Sequence, residues 1–243
     1  TSTSPQYAII ASCDVAAAMM EVPGGKALVE ESIAESLDFR RAMRKVDKDF
    51  GKEWWFTVWG PSGLAAEGIG RQSDWMLKAG DKWHGFGALA DGFNMLDPIK
   101  STIVTPGLDV SGKFAKMGIP AAIVTKFLAE HGVIVEKTGL YSFFIMFTIG
   151  ITKGRWNTLL TALQQFKDDF DRNAPTWRAL PEFCATHPRY ERVGLADLCQ
   201  SIHTAYARGD IARLTTEMYL SDLQPAMKPS DAYAHIAHRT TER

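Results

Sequence analysis

The chain has 243 residues, a net charge of -1, and 46% hydrophobic against 23% charged residues. That balance describes a globular chain able to bury a large core, and it leaves no excess positive charge to hold nucleic acid or an anionic membrane surface. The three cysteines, Cys13, Cys184 and Cys199, are far apart and in no CxxC pattern, which argues against a disulfide framework or a zinc site and fits a reducing cytosol.

The sequence opens TSTSPQYAII. Ser4 before Pro5 predicts a helix start, because the Ser oxygen satisfies an orphan N–H and Pro has none to lose. Hydroxyls near a helix N-terminus, here Ser2 and Thr3, can also hold an anion such as phosphate, although capping alone explains them. The apolar run YAIIASCDVAAAMM continues as a helix that Gly24 and Gly25 are expected to break. From Ala27 to Val46, Leu28, Ile33, Leu37, Met43 and Val46 recur near helical spacing. Glu30, Glu31 and Glu35 come early and Arg40, Arg41, Arg44 and Lys45 late, the order that suits a helix dipole.

Residues 50–100 are rich in Trp and Gly, and the alternation around Trp55, Thr57 and Trp59 predicts a strand. A β-branched strand, STIVTPG, is stopped by Pro106-Gly107, and a helix follows from Ile119 to Gly132. Two more strands, GVIVEKTG and YSFFIMFTIG, are separated by Thr138-Gly139. The expected product is an α/β unit, a small open sheet covered by helices. Trp156, Leu159, Leu160, Leu163, Phe166 and Phe170 then mark one face of a long helix. Pro175 and Pro181 change the punctuation, so a separate helical unit is expected from about residue 173, with helices over LADLCQSIHTAYA, IARLTTEMYL and DAYAHIAH. No apolar run reaches membrane-spanning length and no signal-peptide pattern opens the chain, so a cytoplasmic protein without a membrane partner is expected.

His84, in WHGF, suits a site loop but fits a structural aromatic cluster better. His131, in the last turn of its helix, suits a cap. His235 and His238 with Asp231 lack a third strong metal partner and read as a solvated face, so no metal is expected. No HExxH, Walker A, GxGxxG or GxSxG motif occurs. Glu136, at the end of an apolar strand, can meet a cationic group across a cleft, or be no more than a solvated strand end.

The runs TSTSPQYAIIAS, AAAMM, WHGF, LDPIK, TPG, GIPAAIV, HGVIVEKTGLYS and GITKGRWNTLL together resemble the bacterial inducible-type ornithine/lysine/arginine decarboxylases. These are fold-type-I enzymes dependent on pyridoxal phosphate. The resemblance runs in order along nearly the whole chain. It implies that residues 1–24 end the large cofactor-binding domain, 25–172 form the small domain and 173–243 begin a helical C-terminal domain. It also implies that Thr1 is not the natural start, and that the Ser-x-His-Lys motif carrying the Schiff-base lysine lies upstream, since no lysine here stands in that motif.

By the same resemblance, Ser2, with Thr3 beside it, reaches the cofactor phosphate of a partner subunit in a homodimer with shared active sites. Glu136, in the EKT run, meets the distal cation of the substrate. Arginine-type members tend to depart from Glu-Lys there, which favours lysine, then ornithine. The whole enzyme would release carbon dioxide and a diamine, and the chain alone would be inactive. An aminotransferase-like rival would use an arginine to grip the substrate carboxylate, and Arg155 is its candidate. The other rival is a truncated, non-catalytic partner of a full-length enzyme.

Overall fold

The computed structural model describes residues 6–61, 64, 72–151, 153–222 and 226–237. Its first two helices are α1 (Tyr7–Glu21) and α2 (Pro23–Phe50), bent by 88° against each other. The break falls at Val22, which is extended (φ -86°, ψ 160°), and not at the glycines. Pro23 starts α2 because its fixed φ suits the first helical position. Gly24 and Gly25 lie inside the first turn. Gly25 permits the elbow by its size: a Cβ there would sit 2.5 Å from the Met20 Cα and 2.6 Å from the Met19 carbonyl oxygen. The expected cap at Ser4 and Pro5 lies outside the described residues.

Four strands, β1 (Thr57–Val58), β2 (Lys100–Val104), β3 (Lys137–Thr138) and β4 (Ser142–Met146), form one antiparallel sheet in the order β1-β2-β4-β3. Ile103 opposes Phe143, and both are buried toward the helices, while Lys100, Thr102 and Val104 alternate to the other face. The strand expected over GVIVEKTG shrinks to Lys137–Thr138. Upstream of it the chain stays on the sheet's edge, where Val133 and Val135 turn inward and Ile134 is 81% exposed. An edge position gives that segment only one neighbour to bond.

Helix α3 (Ala121–Glu130) and helix α4 (Lys153–Asp171) cover the sheet together with α2. Phe39 and Met43 of α2, Phe127 of α3 and Leu163 and Phe166 of α4 share one buried cluster with Ile103 and Phe143. The proline-punctuated region then gives α5 (Thr176–Ala179), α6 (Pro181–Thr186), α7 (Leu195–Arg208), α8 (Ile211–Leu220) and α9 (Pro229–Ala237). Leu180, Leu195, Leu198 and Cys199 belong to the same cluster, so the core runs past residue 173 without a gap.

Long-range polar contacts fix these layers. Arg40 of α2 is buried and donates to the carbonyls of Trp59 at 2.9 Å and Lys100 at 2.8 Å. Burial first, then Arg44, lowers its guanidinium to about 10, so it remains charged at neutral pH. The Glu130 carboxylate, at the end of α3, accepts the N–H groups of Glu182 and Phe183 at 3.0 and 2.9 Å and so caps α6. His131 ends α3 as expected: its Nδ1–H donates to the Phe127 carbonyl at 2.8 Å and its ring stacks on Phe127.

Candidate functional site

The groove that receives Glu136 is built where the edge of the sheet meets the start of α4. The Glu136 N–H donates to the Phe144 carbonyl at 3.0 Å, which fixes the backbone just before β3 and leaves the side chain exposed. A cavity of about 570 Å³ lies there, with Glu136 and Arg155 on its rim and Ile145, Phe147, Ile151 and Trp156 among its apolar walls. Trp156 is held by its indole N–H, which donates to Glu35 on α2 at 2.7 Å. Among the described residues no side chain pairs with the Glu136 carboxylate or the Arg155 guanidinium. The groove thus offers one free carboxylate and one free cation above an apolar floor.

A second cavity, of about 830 Å³, lies on the sheet face turned away from α2, between Thr102, Val104 and Ser142 on the strands and Arg213 and Thr216 on α8. Trp59 and Tyr141 are its aromatic walls and Asp109 lies at its edge. The Asp109 carboxylate accepts the Ser111 hydroxyl at 2.6 Å and the N–H groups of Ser111 and Lys113 at 2.8 and 3.0 Å. The Ser111 hydroxyl, followed by the Lys113 N–H, holds that carboxyl below its ordinary range. All three bonds fall on Oδ1, so one oxygen of the carboxylate is taken up by its own loop. Arg213 is likewise taken up, by Asp210 at 2.6 Å and Glu217 at 2.5 Å.

The other residues singled out from the sequence separate in space. Ser2, Thr3 and His238 lie outside the described residues, and His235 falls on α9. His84 is buried in an aromatic ladder: it packs edge-on to Trp83 and stacks on Phe86. Its Nε2–H donates to the Lys78 carbonyl at 3.1 Å, which leaves Nδ1 to accept the Phe86 N–H at 3.0 Å. Both ring nitrogens are spent on the fold. Sequence reasoning missed Glu35, which no motif marks, and His203 with Tyr141, whose pairing spans 62 residues.

Among the described residues no lysine lines either cavity. Those residues present no amine there able to link to the aldehyde of pyridoxal phosphate, and they do not by themselves form a cradle for that cofactor. What the Glu136 groove can do on its own is hold a molecule with an apolar chain and a cationic end.

The sequence model of the family described as "Orn/Lys/Arg decarboxylase, major domain" matches residues 1–155. Lysine decarboxylase LdcA of Pseudomonas aeruginosa is 46% identical over 99% of this chain and 32% of its own length. The inducible lysine decarboxylase of Escherichia coli K12 is 37% identical over 100% of this chain and 33% of its own. Among solved structures, lysine decarboxylase A from Pseudomonas aeruginosa superimposes with a TM-score of 0.84 at 47% identity, over 98% of this chain and 32% of that one. The chain thus spans about a third of the length of the relatives it matches.

Proposed function

The chain belongs to the Orn/Lys/Arg decarboxylase family, and on that footing we propose that it is part of a pyridoxal-phosphate-dependent enzyme that decarboxylates a basic amino acid. Lysine is favoured, then ornithine or arginine, because the relatives named above are lysine decarboxylases and Glu136 stands in the EKT run. The observation that carries the reading is the seating of Glu136: a carboxylate with no side-chain partner among the described residues, at the rim of an apolar groove of about 570 Å³. Such a group binds a terminal ammonium by a charge-assisted hydrogen bond, while apolar walls accept the methylene chain behind it.

In this reading the chain binds and orients, and the bond-breaking groups belong to the remainder of a longer protein. Ser2, or Thr3 beside it, would offer a hydroxyl to the cofactor phosphate across a cytoplasmic homodimer. The division at 24 and 172 is then one of roles, with α1 ending the large domain, the sheet and its helices forming the small one, and the helices from 173 opening the C-terminal one.

The test has two arms. The 243-residue chain with added lysine and pyridoxal phosphate should release no carbon dioxide above a blank of lysine and pyridoxal phosphate alone; turnover by the chain alone would overturn the assigned division of labour. In the full-length enzyme, Glu136→Gln should raise KM for lysine by about tenfold or more with cofactor absorbance retained, the loss of one charged hydrogen bond. An unchanged KM would remove Glu136 from substrate binding.

A further inference from the structure

Helix α7 carries His203 into a buried corner of the sheet, where its ring is 2% exposed. Its Nε2 lies 2.9 Å from the Ala115 carbonyl oxygen and its Nδ1 lies 2.6 Å from the Tyr141 hydroxyl. A carbonyl can only accept, so Nε2 bears the hydrogen. In the neutral ring Nδ1 is then an acceptor and Tyr141 must donate. Tyr141 is a secure donor, because burial, with smaller contributions from Tyr206 and Cys199, pushes its hydroxyl up to about 12. The relay therefore has a direction, from the Tyr141 hydroxyl through the imidazole to the Ala115 carbonyl.

The surrounding backbone is shaped to this ring. A Cβ on Gly118 would come 2.2 Å from the His203 Nδ1, and one on Gly107, where φ is +132°, would come 2.3 Å from the Tyr141 ring. Thr105 donates its N–H to the Tyr141 carbonyl at 2.9 Å and its hydroxyl to the Ile119 carbonyl at 2.6 Å. Gln200, one turn before His203, adds a bond to the Lys116 carbonyl at 3.3 Å. The start of β4, the 105–119 loop and the C-terminal half of α7 thus meet at one polar node.

We propose that this node is an acid-sensitive latch: the neutral His203 ring ties the C-terminal half of α7, and α8 after it, to the 105–119 loop, and protonation of the ring releases them. Protonation places a second N–H on Nδ1, aimed at the Tyr141 oxygen. The hydroxyl must then turn its own hydrogen away, and among the described residues it has no hydrogen-bond partner other than His203. The groups around the ring are the Tyr141 hydroxyl at the start of β4, the Phe114 ring and Ala115 carbonyl of the loop, with exposed Lys116 next in sequence, and Cys199 and Tyr206 on α7 itself. No carboxylate stands among them to balance an imidazolium, so the buried charge is met by movement. Leu195, Leu198 and Cys199 keep the N-terminal half of α7 in the main core. The part set free leads into α8, which walls the 830 Å³ cavity, so release opens that cavity.

Amide hydrogen exchange of the full chain, read by peptide mass spectrometry and corrected for the intrinsic pH dependence, tests the latch. Peptides over 105–119 and 203–216 should exchange about tenfold faster near pH 5 than near pH 7.5, while α3 keeps its protection. In His203→Gln the carboxamide accepts from Tyr141 and donates to Ala115 without titrating, and that difference should vanish. An equal response in His203→Gln and the unmodified chain would overturn the proposal. Ring-nitrogen NMR of the unmodified chain is independent of the variant's folding: an Nε2–H tautomer near pH 7.5 supports the latch, and an Nδ1–H tautomer overturns it.

Discussion

Glu130 shows how much of this fold hangs on single side chains that no local pattern reveals. Its carboxylate is 2% exposed, caps the N-terminus of α6 with both oxygens and pairs with Lys126 at 3.3 Å. Glu130→Ala leaves two N–H groups without their acceptor, since a six-residue helix has no other cap there. Loss of such bonds costs about 2 kcal/mol, which for a chain of this size lowers Tm by about 4–8 °C. Thermal unfolding followed by circular dichroism measures it, and Glu130→Gln, which keeps one acceptor, should lose less. A Tm unchanged in the alanine variant would mean that water replaces the carboxylate without loss. Glu130 and its partners lie 52 and 53 residues apart, and His203 lies 88 from Ala115. Periodicity reports which face of a helix is buried, but not which distant backbone group a side chain will find.

At the scale of elements, the sequence was most legible where periodicity is long. The apolar stripe from Trp156 to Phe170 and the charge order along Glu30 to Lys45 both mark helices that form, α4 and α2. The strands β1 and β3 are two residues each, too short for alternation to delimit. The elbow between α1 and α2 was misplaced because two glycines are read as a breaker, while the steric reason for Gly25 exists only once Met19 and Met20 fold back over it. The two glycines should therefore behave oppositely. Among the described residues Gly24 has only the Val22 side chain within reach of a new Cβ, at 3.9 Å, so Gly24→Ala should stabilise α2 by about 0.5–1 kcal/mol through the helix preference of alanine. Gly25→Ala drives a methyl into backbone and should open the elbow, seen as faster limited proteolysis around Val22 with the core's unfolding unchanged. Equal effects of the two substitutions would refute the steric account.

The molecule as a whole exposes more surface than its mass warrants. Its accessible surface is 16278 Å², whereas a compact monomer of 26.9 kDa exposes about 10,800 Å². Helix α1 contributes to that surface: it has no buried residue and leaves Tyr7 84%, Ile10 53% and Met19 51% exposed. Asp14 and Glu21 are the only charges in this helix, and so apolar a helix suits a covered position. For this chain alone, the consequence is self-association through α1, because exposed apolar patches of that extent are removed from water by contact with one another. Deleting residues 1–22 should therefore convert associated species to monomer in sedimentation velocity. The same deletion should leave Tm within about 2 °C, since α1 contributes no side chain to the core cluster. A truncated chain that still associates would place the sticky surface on α8, where Tyr219 and Leu220 are 80% and 79% exposed. A truncated chain that unfolds far earlier would show instead that α1 steadies α2 through the elbow, and that the two helices fold as one unit.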